Sequence, residues 1–588
     1  MKTTFLLLLI LFTTKAFAQA PAVQWQKSLG GSGNDQASSV QQTSDGGYIV
    51  AGWSNSNDSE VAGNHGANDY WVVKLNNLGT IEWQKSLGGS LSDYAYAIQQ
   101  TADSGYIVSG WSSSNDGEVS GNHGNADYWV LKLDDTGAIQ WQKSLGGSNV
   151  DIARAIRQTS DGGYIVAGGS QSDDGEVSGS HGMDDYWVVK LNDTGGIQWQ
   201  KSLGGSLGDG AETIQQTSDG GYIVAGESQS DDGEVSGNHG NFDAWIVKLN
   251  DTGAIQWQKS LGGSQFENAY SILQTSDSGY IFASASESND GDVTGHHGDS
   301  TAPDYWIVKL NDTGAILWQK SLGGSGYDNP TSIRQTSDGG YVIAGSSNST
   351  DGDVSGNHGN ADYWIVKLDD TGAIQWQKSF GGSNQDVAAS IEQTSDSGYI
   401  VAGYSNSNDG EVYGNHGAFD FWVVKLGCWI NTGLISGPSS LCTGSSVTLL
   451  DTAAGGVWSV SNSNATISGS SVTGITPGTD TAIYTITKTC GTATATYPIT
   501  IIPCPPGAAH QIPLTPPIFI LPNPTTGYIS ITGANNITIK VYNTIGQLIK
   551  EASNTDNISI SGFPVGLYFV RVFNERGALI KQDKIIKE

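Results

Sequence analysis

The loop segment SNDGEVSGNHG carries acidic side chains that are suited to hold a metal ion. In its second copy Asp116 and Glu118 lie beside a glycine, and Asp127 follows the loop. Calcium takes hard oxygen ligands of this kind, so Asp116, Glu118 and Asp127 are a candidate calcium site. The spacing matches no EF-hand loop, however, and short Asp/Asn/Gly segments also form ordinary Asx turns. Both interpretations stay open at this point, and no motif in the chain requires a cofactor.

Aromatic side chains mark a second candidate site. Just after each GYIVAG-like segment, the near-identical repeats differ, and this position carries Trp53, Trp111, Gly169, Glu227, Ala285, Ser346 and Tyr404. The last repeat adds Tyr413 and Phe419 in its long loop. Exposed rings stack on sugars or pack against proteins. We therefore predict that a ligand-binding sector is formed by Trp53, Trp111, Tyr404, Tyr413 and Phe419. The alternative is that these rings merely cover loops.

Enzyme signatures are missing from the sequence, which contains no GxSxG, HExxH or P-loop motif and no zinc-type cysteine cluster. One histidine recurs in every repeat, always before a glycine, which favours a scaffold role because a catalytic residue need occur only once. A glycoside hydrolase or lyase stays as an alternative, since paired carboxylates are the catalytic groups of glycosidases. It would need a unique acid in one repeat and a deep pocket.

The elements that position these residues follow from a repeat. The segment WQKSLGG (once WQKSFGG) recurs with its tryptophan at 25, 83, 141, 199, 257, 318 and 376, a period of 58 residues with one three-residue insertion. Each unit contains four β-rich runs separated by turn signals such as SDGG and DTG. Periods of this length indicate solenoids or propellers, and four antiparallel strands form a propeller blade.

Ring closure supports the propeller. The chain begins with a lone fourth strand near 23–29, and the seventh unit stops after its third strand near 421–426. We predict that the first strand completes blade seven and so removes an open edge. The long loops should emerge on the face opposite the short hairpins. Four acidic positions per unit map to that face, so we expect 28 carboxylates there, exemplified by Asp93, Asp116, Glu118 and Asp127.

Composition agrees with an all-β exported protein. Gly numbers 80, Trp 18 and Met only 2 among 588 residues, while charged residues make up 14%. Residues 19–427 hold 17 basic against 51 acidic side chains, a net charge of −34 that repels nucleic acid and anionic membranes. Residues 1–18 have the basic start, short apolar run and small-residue cleavage site of a signal peptide. No later segment is apolar enough for a transmembrane helix.

Residues 428–504 form a separate Ser/Thr/Gly-rich segment. The stretches SLCTGSSVTL, VTGITPGTDTAIYTI and CGTATATYPITI resemble the immunoglobulin-like or PKD-like modules of secreted Bacteroidetes proteins. This resemblance implies a β-sandwich and suggests that Cys442 pairs with Cys490, leaving Cys428 and Cys504 to bracket the module. Four cysteines allow three pairings.

The C-terminal end has the most specific resemblance. Residues 505–517 read as a Pro-rich linker. From 518 to 588 the motifs LPNPTTGYISI, VYNTIGQLI and ISISGFPVGLYFVRV and the tail KQDKIIKE resemble the type A sorting domain of the type IX secretion system. The resemblance implies contact with that secretion machinery, transport across the outer membrane, removal of this domain, and either release or attachment to surface lipopolysaccharide.

These patterns together predict an all-β chain: a signal peptide, a seven-bladed β-propeller (19–427), an immunoglobulin-like module, a linker and a small sorting domain. The whole resembles secreted Bacteroidetes proteins built on seven propeller repeats. We expect a non-catalytic binding or adhesion protein outside the cell, with a glycan or an extracellular protein as ligand. The alternatives are a secreted polysaccharide-degrading enzyme and a purely structural surface protein.

Overall fold

The computed structural model shows an all-β chain and confirms the predicted fold class. The residues it describes are 20–298, 301–428, 430, 432–433, 435–488, 491–503, 519–521, 527–532, 536–543, 547–553, 555–564, 566–575 and 579–587. The predicted signal peptide (1–18) and linker (505–517) lie outside them. Backbone contacts divide the chain into two compact units.

The first unit contains seven four-stranded antiparallel sheets, which are the predicted blades. The first strands are Asp35–Gln42, Asp93–Gln100, Asp151–Gln158, Asp209–Gln216, Glu267–Gln274, Asp328–Gln335 and Asp386–Gln393. The second strands are Tyr48–Ser54, Tyr106–Ser112, Tyr164–Ser170, Tyr222–Ser228, Tyr280–Ser286, Tyr341–Ser347 and Tyr399–Ser405. The third strands are Asp69–Leu75, Asp127–Leu133, Asp185–Leu191, Asp243–Leu249, Asp304–Leu310, Asp362–Leu368 and Asp420–Leu426.

The fourth strands of blades one to six are Ile81–Leu87, Ile139–Leu145, Ile197–Leu203, Ile255–Leu261, Ile316–Leu322 and Ile374–Phe380. In blade seven this place is taken by Val23–Leu29, which pairs antiparallel with Asp420–Leu426. The first strand of the chain therefore closes the ring, as predicted.

Neighbouring blades share their hydrophobic cores. Seven clusters of buried side chains each draw residues from two consecutive blades, blade seven and blade one included. Their members alternate along the strands, as expected for a sheet that buries both faces. Tyrosines add directional contacts: the Tyr70 hydroxyl donates to the Trp129 carbonyl of the next blade at 2.9 Å, and Tyr128 repeats the contact with Trp187. Each blade is thus completed by its neighbours.

The strands that follow the propeller in the chain are Ile435–Ser436, Ser440–Cys442, Ser446–Thr448, Leu450–Asp451, Val457–Val460, Ala465–Ser468, Ser471–Gly474, Gly478–Lys488 and Gly491–Ile502. Cys428 and Cys442 are each disulfide-bonded. Cys490 and Cys504 lie outside the described residues, so the pairing of Cys442 with Cys490 stays a prediction. The kinship with immunoglobulin-like modules likewise stays a prediction.

The second unit comprises residues 440–445, 474–478 and 501–588. Its C-terminal strands are Phe519–Leu521, Tyr528–Thr532, Thr538–Tyr542, Leu548–Ser553, Asn557–Ser559, Gly566–Phe573 and Leu579–Lys587. They form a three-stranded and a four-stranded sheet around one cluster of buried Ile, Val and Tyr side chains. This small all-β body agrees with the predicted C-terminal domain.

Candidate functional site

A β-bulge in each first strand decides which side chains reach the propeller axis. In blade one Ala37 pairs with Gly52 and Ser39 with Ala51, so Ser38 falls outside the register. A bulge of this kind re-aims the side chain of the extra residue. The same irregularity occurs in all seven blades, and every bulge residue lines the axial cavity: Ser38, Tyr96, Arg154, Glu212, Tyr270, Thr331 and Ala389.

This axial cavity, which we call the funnel, has a volume of about 590 Å³. Residues from the first strands of all seven blades line it, together with Trp53 and Tyr404 from second strands. A volume in this range suits a small-molecule or sugar ligand. The funnel lies at the end of the first strands from which the long loops emerge, because its lining begins at the second residue of those strands.

One side of the funnel is aromatic. The ring of Tyr94 lies 4.9 Å from that of Trp53 and stacks on Trp111 at 4.7 Å with an interplanar angle of 19°. The Trp111 indole N–H donates to the Tyr96 hydroxyl at 3.3 Å, and Asn68 donates to the Tyr94 hydroxyl at 2.8 Å. These contacts hold the rings in fixed positions. We call Tyr404, Trp53, Tyr94 and Tyr96, from blades seven, one and two, the aromatic wall.

The other side of the funnel carries charged and polar side chains from blades three to five. The Arg154 guanidinium lies 4.5 Å from the centre of the Tyr96 ring, and its Nε is 3.6 Å from a carboxylate oxygen of Glu212. Tyr270 follows in the next blade. Burial, with the charges of Glu212 and Glu227, raises the pKa of Tyr270 to about 12. Arg154 therefore joins the aromatic wall to an acidic side.

Glu227 adds an unusual carboxyl beside this side. It occupies the second-strand position that holds Trp53 in blade one, and it pairs across the strands with Gly210. Burial, followed by the like charge of Glu212, raises the pKa of Glu227 to about 7. Such a carboxyl exchanges its proton near neutral pH.

Two arginines form the inner end of the funnel. Arg157 and Arg334 line the funnel and also a chamber of about 150 Å³ deeper along the axis, which we call the inner chamber. Glu392 lines the inner chamber as well. Burial, reinforced by the like charge of Arg334, lowers the pKa of Arg157 to about 10. The end of the funnel is thus cationic in a strongly acidic domain.

The predicted aromatic residues are only partly brought together. Trp53 and Tyr404 line the funnel, Trp111 supports Tyr94 from behind, and Phe419 packs edge-on against Tyr404 with ring centroids 5.4 Å apart. Tyr413 lies elsewhere: its side chain is 64% exposed, and its carbonyl accepts hydrogen bonds from Gln26 and Ser28 on the outermost strand. Tyr413 therefore belongs to the outer edge of blade seven.

The predicted calcium ligands do not converge on one point. Asp116 accepts a hydrogen bond from the Ser90 N–H, and Glu118 accepts one from Gly88, both in the crossover that enters blade two. Asp127 instead accepts from the N–H and the ring of His123, at the junction with blade three. Within the described residues, no group of three His, Cys, Asp or Glu side chains is placed to hold a metal. These acids hold loop backbone instead, as Asx-type contacts do.

Half of the 28 carboxylates that we expect on the long-loop face are buried beneath its loops. The acids that begin the first and third strands, such as Asp93 and Asp127, are fully buried in every blade. They accept hydrogen bonds from loop N–H groups, for example from Gly89 to Asp93 at 2.8 Å. Backbone amides at the loop bases need these acceptors, so these buried acids serve the scaffold. The recurring histidines do likewise, since each ring lies within hydrogen-bond distance of a third-strand aspartate.

The first-strand residues of the site were not among those predicted from the sequence. Comparison of the near-identical repeats at the bulge position would have found Tyr96, Arg154, Glu212 and Tyr270. A second signal is the use of arginine: residues 19–427 contain three arginines, Arg154, Arg157 and Arg334, and all three line the axis. The other basic residues of that range are lysines that recur in the repeats.

Comparison with known families identifies the C-terminal part of the chain. Residues 519–588 match the secretion system C-terminal sorting domain family. This match confirms the predicted sorting domain and means that the protein is exported by the type IX secretion system to the cell surface or the extracellular space. It also implies contact with that secretion machinery. The described residues include no helix long and apolar enough to cross a membrane.

Other likenesses are remote. A stretch of 177 residues is 27% identical to the regulatory protein FlaEY of Caulobacter vibrioides and covers 28% of this chain and 19% of FlaEY. PorZ, a surface component of the type IX secretion system of Porphyromonas gingivalis, is 12% identical with a TM-score of 0.36, over 95% of this chain and 60% of PorZ. The extracellular domain of BT4673 from B. thetaiotaomicron is 10% identical with a TM-score of 0.36, over 98% and 58% of the two chains. The chain therefore spans less than two thirds of each.

Proposed function

We propose that this exported surface protein binds a carbohydrate in the funnel and that its role is adhesion or capture outside the cell. The observation that carries this proposal is the aromatic wall, whose rings face a cavity of about 590 Å³. Sugar rings stack on aromatic faces, and the hydroxyl groups of a sugar find donors and acceptors in Arg154, Glu212 and Tyr270 opposite. A preformed wall also lowers the entropy cost of binding.

A glycan-binding screen followed by isothermal titration calorimetry tests this proposal. We expect Trp53→Ala and Tyr404→Ala each to weaken binding of the best glycan by about tenfold or more, since lost stacking contacts cost on the order of 1 to 3 kcal/mol. Tyr413→Ala is the matched control, because Tyr413 is an exposed aromatic of the same blade as Tyr404 that lies outside the funnel. Equal loss in all three variants, or no loss in any, would count against the funnel.

A polysaccharide-cleaving enzyme, a glycoside hydrolase or lyase, is the second candidate. Glu227 favours it, because a carboxyl with a pKa of about 7 beside Glu212 is suited to general acid catalysis. Incubation of the protein with the glycans that it binds, followed by detection of new reducing ends, decides between the two. Product formation that disappears in Glu227→Gln would replace binding by catalysis as the function.

The purely structural alternative makes the opposite prediction. A propeller that acts only as a rigid body has no saturable ligand. A screen that includes extracellular proteins as well as glycans, and finds no saturable binding to the native protein, would favour it and overturn our proposal.

A further inference from the structure

The inner end of the funnel departs from the repeat at one position of the first strand. The seventh residue of this strand is Gln41, Gln99 and Gln215 in blades one, two and four. In blades three and six it is Arg157 and Arg334, with Leu273 in blade five and Glu392 in blade seven. Six of these seven side chains are polar, and all seven line the inner chamber.

The glutamines at this position have a structural task. The side-chain oxygen of Gln41 accepts a hydrogen bond from the Gln100 N–H of the next blade at 2.6 Å, and Gln99 and Gln215 repeat the contact with Gln158 and Gln274. Glu392 does the same for Gln42 across the ring closure. The position therefore normally links neighbouring blades through an acceptor.

An arginine cannot perform this task, because a guanidinium has five N–H donors and no acceptor. Arg157 and Arg334 thus replace a useful contact between blades. Each uses one nitrogen to donate to the carbonyl before it in its own strand, Ile156 and Ile333 respectively, at 2.8 Å. These contacts use only one guanidinium nitrogen of each arginine. The other N–H groups belong to side chains that line the funnel and the inner chamber.

The charges at the inner end do not cancel. Two guanidinium groups and the one carboxylate of Glu392 line the inner chamber, which leaves one net positive charge in a space of about 150 Å³. Like charges placed together in a poorly solvated channel cost free energy, and a bound anion removes that cost. Arginine also suits planar carboxylate and tetrahedral sulfate groups, because its N–H groups bind them in pairs.

We propose that Arg157 and Arg334 form an anion-binding site at the inner end of the funnel, so that the carbohydrate ligand is an acidic glycan whose carboxylate or sulfate group reaches these two side chains. This inference rests on the proposed function for the sugar, although the anion site stands on its own contacts. The acidic exterior of the domain repels anions, so selection for an acidic ligand must come from these half-buried cations, which salt screens less than surface charges.

The repeat itself supplies the test variant. Arg157→Gln and Arg334→Gln restore the residue found in blades one, two and four, so the double variant should fold and gain contacts between blades. Leu273→Gln is the matched control, because it makes the same consensus change without removing a charge. Titration calorimetry of the full chain with sodium sulfate, sodium glucuronate and glucose, at low and high chloride, gives the readout.

We expect sulfate and glucuronate to bind the native protein and Leu273→Gln equally well, and to bind the double variant at least tenfold more weakly. Glucose carries no charge, so any binding of glucose should be the same in all three proteins. Equal binding of either anion by native protein and double variant would overturn the anion site. For oligosaccharides, a sulfated and a uronate-containing series with neutral counterparts separates the two anionic groups.

Failure of this inference is distinguishable from failure of the proposed function. If Trp53→Ala abolishes glycan binding while neutral and acidic glycans bind the native protein equally, the funnel stands and the anion site falls. If sulfate binds through Arg157 and Arg334 and no glycan binds at all, the anion site stands and the carbohydrate proposal falls.

Discussion

The indole N–H of Trp422 donates to the side-chain oxygen of Gln26 at 2.7 Å, although 396 residues separate the two in the chain. The same contact occurs inside other blades, for example from Trp71 to Gln84 at 2.9 Å. In those blades a hairpin joins the third and fourth strands covalently. In blade seven the fourth strand is the start of the propeller chain, so non-covalent contacts alone close the ring.

This difference predicts unequal effects for two equivalent substitutions. We expect Gln26→Leu to lower the unfolding temperature more than Gln84→Leu, because Gln26 is buried at 5% exposure whereas Gln84 is only half-buried. A buried N–H that loses its acceptor costs on the order of 1 to 3 kcal/mol. Thermal unfolding followed by circular dichroism measures both. Equal shifts would mean that the closing strand is no more sensitive than a strand within a blade.

The second prediction concerns Gly110, which pairs with Ala95 beside the bulge of blade two. A Cβ on Gly110 would lie 1.8 Å from the Tyr94 carbonyl oxygen, so Gly110→Ala must displace the backbone that carries Tyr94. We expect a loss of stability on the order of 1 to 3 kcal/mol and a weaker stacking of Tyr94 on Trp111, seen as a changed near-ultraviolet circular dichroism signal. Blade five has Ser284 at the equivalent place, so the fold itself should persist.

Gly169→Ala is the control for this experiment. Gly169 lies at the next position of the same strand in blade three, where an added Cβ would meet only the Asp184 carboxylate at 3.5 Å or more. We expect no change in stability beyond a few tenths of a kcal/mol. A Gly110→Ala protein as stable as Gly169→Ala, with unchanged aromatic signals, would show that the close backbone approach is not required.

Most of the fold could be predicted from the sequence, but the site could be only in part. The seven blades and the closing strand follow from the repeat and from the lone WQKSL at the start. The orientation of Arg154 and Glu212 toward the axis could not be predicted, because a bulge breaks the period-two alternation on which the prediction of strand faces depends. The burial of Asp93 likewise depends on loop amides that come close only in three dimensions.

Buried carboxyl pairs predict an unusual pH dependence of stability. A methyl group on Gly323 would lie 2.5 Å from an oxygen of both Asp304 and Asp328. Burial, with the like charge of Asp304 and against several hydrogen bonds, raises the pKa of Asp328 to about 6. Asp93, Asp362 and Asp420 are also raised to about 6, chiefly by burial. These groups hold protons more tightly in the folded state than in the unfolded chain.

The sign of the effect follows from linkage. A raised carboxyl pKa stabilises the fold at pH values below the ordinary 3.8, and this stabilisation is lost as the pH rises through about 6. Asp45 has the opposite effect on the pH dependence. Burial raises its pKa, but hydrogen bonds from Lys74 and Thr43 outweigh burial and lower the pKa to about 2, so the stabilisation that Asp45 provides is lost in acid. We therefore expect maximal stability at about pH 4 to 5 and a decline toward pH 7.

Thermal unfolding across this pH range measures the decline. Asp328→Asn keeps an acceptor for the Gly324 N–H but removes the titrating group. It should flatten the decline between about pH 5 and pH 7. Asp58→Asn is the control, since Asp58 is an exposed acid of the loops. An unfolding temperature that rises steadily from about pH 5 to pH 7.5 would contradict the prediction.

The cysteine contacts predict a disulfide pattern that differs from the one suggested by resemblance. Thr443, which follows Cys442, donates its N–H to the Ile502 carbonyl at 3.0 Å, and Ile502 precedes Cys504 by two residues. Cys428 packs in one cluster with Tyr484 and Ile486, on the strand that leads toward position 490. We therefore propose the pairs Cys442–Cys504 and Cys428–Cys490.

Peptide mapping under non-reducing conditions distinguishes the patterns. Trypsin alone is uninformative, because cleavage after Lys488 leaves Cys428 and Cys442 on one fragment. Thermolysin cuts before large aliphatic residues such as Ile435 and Ile499 and so separates all four cysteines. Mass spectrometry should then find the 442-containing peptide linked to the 504-containing one. A link from position 442 to position 490 would instead support the pairing that the resemblance suggests.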